Sequence, residues 1–145
     1  MEKCKLIIYF FRISSTCRRS LLGRILGFPV RLSYLLIVRW LLGVDIPDSV
    51  VIGDGLKIYH GYGLVVHGNA VLGENITLRH STTIGNNGKT QACPQIGNNV
   101  DIGCHVVIIG DVKISDNVTI GAGSVITKSI EEPGVYLGNP LKRIK

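Results

Sequence analysis

At 145 residues the chain accommodates one domain with a modest extension and excludes two large ones. Its 46% hydrophobic and 18% charged residues exclude a disordered chain and imply that much of its surface is buried, between subunits if not within one. The net charge of +6 lies almost wholly in residues 1–44, where eight Lys or Arg face only Glu2; these are arginines set among Leu and Ile rather than interleaved with stacking aromatics, so no nucleic-acid partner is expected.

In chain order, residues 1–43 form a basic, apolar segment predicted to be helical. Arg24, Arg31 and Arg39 recur at intervals of seven and eight and so share one face, with Leu and Ile filling the rest. Pro29 is expected to break the segment into two helices. The longest apolar stretch, Leu32 to Val44, is interrupted by Arg39 and falls short of the ~20 residues that span a bilayer, so no transmembrane helix is predicted. No small-residue cleavage site follows the first apolar run, and Cys4, Cys17, Cys93 and Cys104 form neither a CxxC pair nor a dense framework. Reduced thiols in the cytoplasm are the expectation.

From Ile46 onward an aliphatic residue recurs every six positions: Ile46, Ile52, Ile58, Leu64, then Leu72, Leu78, Ile84, then Ile96, Ile102, Ile108, Ile114, Ile120 and Ile126. Gly often follows it, as at Gly53, Gly73, Gly97 and Gly103. Such hexapeptide periods build a left-handed parallel β-helix, in which three short strands make one triangular coil, aliphatic side chains point inward, and Gly or Asn occupies corners with unusual φ. The expected domain spans 44–130, with inward residues stacking eighteen positions apart and residues 131–145 capping the end. Two irregularities stand out. The step from Leu64 to Leu72 is eight, which reads as a small bulge after Leu64. Between Ile84 and Ile96 one repeat is replaced by a segment without the aliphatic residue, which reads as an excursion loop over 86–95.

From Val44 to about Arg143 the sequence resembles bacterial serine acetyltransferases and, more closely, the shorter acetyltransferases of capsule and exopolysaccharide (colanic acid type) gene clusters. The resemblance is carried by VDIPDSVVIGDGLKIYHGYGLVVHGNAVLGENITLRHSTTIGNNGKT, CPQIGNNVDIGCHVVIIGDVKISDNVTIGAGSVITKSI and PGVYLGNPLKRI, in that order. It implies a homotrimeric hexapeptide-repeat acyltransferase with acetyl-CoA as co-substrate and no metal. An Asp–His pair fifteen residues apart, implied to be catalytic, falls on Asp45 and His60. The residue types suit the chemistry, because a hydroxyl is a poor nucleophile at neutral pH and a neutral imidazole can take its proton as the oxygen attacks a thioester. An Asp behind the ring would fix its tautomer. The resemblance also implies acetyl-CoA contacts at Gly85, Asn86, Gly88, Lys89, Cys104, Gly121 and Ala122, with Lys142 or Arg143 reaching phosphates.

Three departures bear on the acceptor. Where serine acetyltransferases carry Asp before the catalytic His, and Arg-His before a loop Pro, this chain has Tyr59, Ala92 and Cys93. Neutral side chains leave the charges of a zwitterion unpaired, so a sugar hydroxyl of a surface polysaccharide is expected rather than free serine. Serine O-acetylation remains the alternative; a non-catalytic structural β-helix is a third reading, which leaves the excursion loop without a purpose. Tyr59, His80 and Cys93 are the candidate acceptor residues. His80 reads equally as a solvent-facing strand residue. The four histidines, His60, His67, His80 and His105, are spaced seven, thirteen and twenty-five apart and so lack the close H-x4-H pair that zinc ligation on this fold would need. The basic N-terminal segment has two open readings: contact with the inner membrane face, or packing across the trimer.

Overall fold

The computed structural model describes residues 2–145. The chain folds as a parallel β-helix capped by helices at its N-terminal end, in keeping with the hexapeptide period. Fifteen short strands, numbered in chain order, form three faces. Face A holds β1 (Val44–Asp45), β4 (Leu64–Val66), β7 (Thr83–Gly85), β10 (Val107–Ile109) and β13 (Val125–Ile126). Face B holds β2 (Val51–Ile52), β5 (Val71–Leu72), β8 (Gln95–Ile96) and β11 (Lys113–Ile114). Face C holds β3 (Lys57–Tyr59), β6 (Thr77–Arg79), β9 (Asp101–Ile102) and β12 (Val118–Ile120), followed by β14 (Gly134–Leu137) and the antiparallel β15 (Lys142–Arg143), which close the far end.

Strands β1 to β13 each bury an inward residue, and in the three-residue strands burial alternates, so every coil adds aliphatic side chains to a continuous central column. Each fully buried Ile or Leu is worth about 1.5–3 kcal/mol, and stacking extends this over the whole length. The spacing between stacked residues is eighteen only where coils are regular, as for Ile108 on Ile126. Ile58 lies on Leu78 and Ile84 on Ile108, because insertions lengthen the intervening turns.

The register corrects one sequence expectation. Val66, not Leu64, stacks beneath Ile84, so the two extra residues precede Leu64 and fall in the corner after Tyr59. Leu64 and Val66 are both inward positions of β4, which is why the repeat alone cannot choose between them. His67 is therefore not at a bulge. It follows β4 at an ordinary turn and receives the Asn69 amide on Nδ1.

The N-terminal segment consists of α1 (Glu2–Arg18), α2 (Leu21–Leu26), α3 (Phe28–Ser33) and a π-helical run Tyr34–Leu41. A helix boundary falls at Gly27, just ahead of Pro29 as expected, and a further break that the sequence reading did not anticipate separates α1 from α2. Pro29 occupies the first turn of α3, where its missing N–H costs nothing. The turn after α1 comes earlier, where the Ser20 side chain caps α2 by accepting the Gly23 amide.

Helix α1 covers the open end of the coil. Ile7 and Phe11 are buried with Tyr34 and Val38, and Ser14 donates to Asp48 at 3.0 Å. Arg12 donates to the carbonyls of Ile52 and Gly53, groups that a further coil would otherwise satisfy. Arg31 and Arg39 of the predicted basic face turn inward, to Asp48 (2.7 Å) and Asp45 (2.6 Å).

Candidate active site

The site is built on the edge where the chain turns from face C to face A. In the second coil the turn is short: Arg79 ends β6, His80 spans the corner, and Ser81 adopts φ 56°. In the first coil Tyr59 is followed by His60, Gly61 and Tyr62 before Gly63 at φ 64°. The Ser81 amide donates to the Tyr62 carbonyl just as the His105 amide donates to that of His80 and the Gly123 amide to that of Cys104. Tyr62, His80 and Cys104 thus form one column, and the two inserted residues are His60 and Gly61. Gly61 lets the insertion lie against the core, since a Cβ there would meet the Val44 and Ile58 methyls at 3.1 and 3.2 Å.

His60 itself has φ 59°, but Asn75, Ser81, Asn99, His105 and Asn117 share this left-handed conformation, so it marks corners rather than catalysis. The insertion is what distinguishes His60. Its ring meets that of His80 edge to face at 6.2 Å, and His80 meets His105 at 5.2 Å. The Nδ1 atom of His80 is buried and has no hydrogen-bond partner among the described residues. His105, to which the sequence assigned no role, completes this row of imidazoles.

A cavity of about 120 Å³ opens beside His60, walled by Ile7, Leu42, Val44 and Tyr62 and by Lys3 and Cys4 of α1. Lys3 donates to the Tyr62 hydroxyl at 2.6 Å, and its ammonium lies 3.8 Å from the centre of that ring. Sequence reasoning missed both residues. A signal existed in the helical spacing, because Lys3, Ile7, Phe11 and Ser14 fall on one stripe of α1, the stripe that covers the coil.

Asp45 begins face A at the same end of the coil. Its Oδ1 accepts from Arg39 Nε at 2.7 Å and Nη2 at 2.6 Å. Among the described residues its hydrogen bonds run to Arg39, and none runs to His60. Tyr59 is half-exposed beneath the Arg79 guanidinium, whose carbon lies 5.7 Å from the ring centre. Arg79 pairs with Asp101 and donates to the Ile102 carbonyl at 2.9 Å; the hydrogen bond to Asp101 raises its already high pKa.

The remaining site residues divide between two edges. Cys104, Gly121 and Ala122 lie on the His60 edge, above His80. Gly85, Asn86, Gly88 and Lys89 lie at the far ends of the face-A strands, where the excursion loop leaves β7 and rejoins at β8. Asn86 accepts from the Gly88 amide and Asn87 from the amides of Lys89 and Thr90, a pair of side-chain turns that leaves Lys89 exposed at the tip. A single chain does not bring the two edges together. At the C-terminal cap Lys142 is exposed, whereas Arg143 is engaged by Glu132 and by the Pro133 carbonyl at 2.9 Å.

Cys93 is turned inward and only 6% exposed, with Sγ 3.2 Å from His67 Nδ1. Burial raises its thiol pKa, the opposite of what a nucleophile requires.

The small residues of the His60 edge suit a pantetheine arm: a side chain at Gly123 would meet nothing within 4 Å, and Cys104 and Ala122 are compact. A parallel β-helix with a histidine-bearing corner, a compact-residue edge and a protruding loop that carries Lys89 fits the class of hexapeptide acyltransferases. Residues 94–128 match the family described as bacterial transferase hexapeptide (six repeats). Escherichia coli K12 WcaB, which bears the name of a colanic acid biosynthesis acetyltransferase, is 36% identical over 137 residues, covering 91% of this chain and 85% of that protein. The soybean serine acetyltransferase apoenzyme superposes with a TM-score of 0.82 at 30% identity, covering 96% of this chain and 56% of the soybean chain. The Brucella abortus S19 serine acetyltransferase, solved in complex with coenzyme A, gives a TM-score of 0.80 at 27% identity, over 94% and 54% of the two chains. The protein belongs to the hexapeptide-repeat acetyltransferases; it spans little more than half the length of these solved serine acetyltransferases.

Proposed function

We propose that this acetyltransferase moves acetyl from acetyl-CoA directly onto a sugar hydroxyl of a surface polysaccharide or its precursor, with His60 as general base. The observation that carries the reading is the position of His60 on a two-residue insertion at the mouth of a cavity, on the same edge as a row of compact residues. Acetyl-CoA supplies a thioester carbonyl. His60 takes the hydroxyl proton as the new C–O bond forms and the C–S bond breaks, then returns it to the departing sulfur. Asp45, held by Arg39 near the same corner, supplies negative charge that favours the transient imidazolium.

Lys89 and Lys142 are the exposed cations proposed for the nucleotide phosphates, with Gly85, Asn86, Gly88, Gly121 and Ala122 bordering the cofactor path. Because the loop and the His60 edge lie apart in one chain, a neighbouring subunit is needed to close the site, and a homotrimer satisfies this with one kind of interface repeated. For the acceptor, neutral Tyr59 stands where an acidic holder of an amino group would be, and Cys93 is packed on His67 rather than presented to a carboxylate. Both favour a glycan over serine.

The second partner we propose is the inner membrane surface. No described helix is long and apolar enough to cross a membrane. Yet Leu21, Leu22, Leu26, Phe28, Leu41 and Trp40, the last 80% exposed, are left uncovered on the helical segment that also carries the arginines of α1 and α2. Such a segment can lie in a headgroup layer and bring the enzyme to lipid-linked glycans.

The test is release of free CoA from acetyl-CoA by the purified chain, with L-serine in one series and oligosaccharide acceptors in another. Glycan-dependent release without serine activity is expected. Serine-dependent release alone would return the protein to serine O-acetylation.

A further inference from the structure

The cavity beside His60 continues outward. Lys3 borders both this cavity and an open depression of about 530 Å³ along α1, whose other walls are Lys5, Leu6 and Tyr9. Lys3 thus stands between the two, with Tyr62 on the His60 side and Lys5 and Tyr9 on the other. Both tyrosine rings are well exposed, at 60% and 63%.

Lys3 stands at i−4 from buried Ile7 on the stripe of α1 that faces the coil; the residue is exposed, and its ammonium reaches the Tyr62 hydroxyl at the rim of the cavity. Among the described residues it makes no ion pair; its partner is the neutral Tyr62 hydroxyl, 59 residues away in sequence. A cation held over an aromatic ring and lacking a carboxylate keeps its capacity for an anion. Exposed aromatic faces beside it suit the apolar face of a sugar ring. The apolar floor of Ile7, Leu42 and Val44 excludes water from one side and strengthens the charge interaction.

We propose that Lys3, with Tyr62, binds an anionic sugar of the acceptor, next to the ring whose hydroxyl faces His60, and that Lys5 and Tyr9 extend this into a track for a longer chain. The inference rests on the glycan reading above and narrows it to acidic glycans. Carboxylate from a uronic acid and phosphate from a sugar phosphate share the required chemistry.

The experiment is direct binding by calorimetry, without acetyl-CoA, of oligogalacturonate, a hexose 1-phosphate and neutral maltotetraose to the full chain and to Lys3→Met, Lys3→Arg and Lys5→Ala. At least one charged probe is expected to bind more than tenfold tighter than maltotetraose. That preference falls about tenfold in Lys3→Met, recovers in Lys3→Arg and weakens less in Lys5→Ala. Thermal melts identify any variant that fails to fold, and the wild-type comparison of probes stands without variants. Equal affinity for charged and neutral probes, no binding of any probe, or full affinity in a folded Lys3→Met would overturn the proposal. Failure of every glycan to release CoA, with charge-selective binding retained, would instead count against the transfer reaction.

Discussion

The imidazoles of His60 and His80 meet edge to face with centroids 6.2 Å apart, across one coil of the helix. The contact exists because the inserted pair His60–Gly61 brings the first-coil ring against the corner of the next coil. It separates two roles. His60→Ala should lower turnover at least about a hundredfold, as loss of a general base does, with the melting temperature nearly unchanged. His80→Ala should cost less, because it removes only packing against the base. Free-CoA release against time measures both, and unchanged turnover in His60→Ala would remove His60 from the chemistry.

The Arg39–Asp45 pair is partly exposed on both sides, so its contribution to stability is about 0–1 kcal/mol. Its effect on rate is expected to be larger. Asp45→Asn should lower kcat roughly tenfold or more while moving the urea midpoint little, and Arg39→Met should fall between wild type and Asp45→Asn. A stability loss without a rate loss would make the pair a strut between the helical cap and the first coil.

Cys93 should be the slowest of the four thiols to react. Burial raises its pKa, so at neutral pH it carries less thiolate than an open cysteine and is sterically covered as well. Timed iodoacetamide labelling with peptide mass analysis should find Cys4, Cys17 and Cys104 modified first. Early labelling of Cys93 would mean that the excursion loop opens readily.

Membrane contact is best tested without truncation, because α1 buries Ile7 and Phe11 against the coil and its removal would uncover the core. Trp40→Glu combined with Leu22→Glu keeps the cap and alters only exposed positions. Wild-type chain is expected to float with vesicles containing anionic phospholipid, and the double variant to stay at the bottom of the gradient. Equal flotation would place the contact elsewhere.

Core positions supply the stability control. Ile108 is fully buried between Ile84 and Ile126, and Ile108→Ala should cost about 2–5 kcal/mol. Leu137→Ala, on a half-exposed capping strand, should cost far less. Denaturant unfolding distinguishes the two.

The sequence by itself determined the coil, because a six-residue period of inward aliphatic residues has one economical packing, and three such strands return the chain above its own start. It also marked the break in the period between Ile84 and Ile96, where the aliphatic residue is missing. It could not locate the two-residue insertion, since Leu64 and Val66 are equally good inward residues and only the hydrogen-bonded register of β4 on β7 decides between them. Nor could it show that Arg39 takes Asp45, that His67 covers Cys93, or that Lys3 reaches Tyr62. Those contacts join segments distant in the chain, and local periodicity carries no information about which distant group a long side chain will meet. The tertiary structure decided them by laying α1 across the open end of the coil, where the stripe that buries Ile7 and Phe11 delivers Lys3 to the corner of His60.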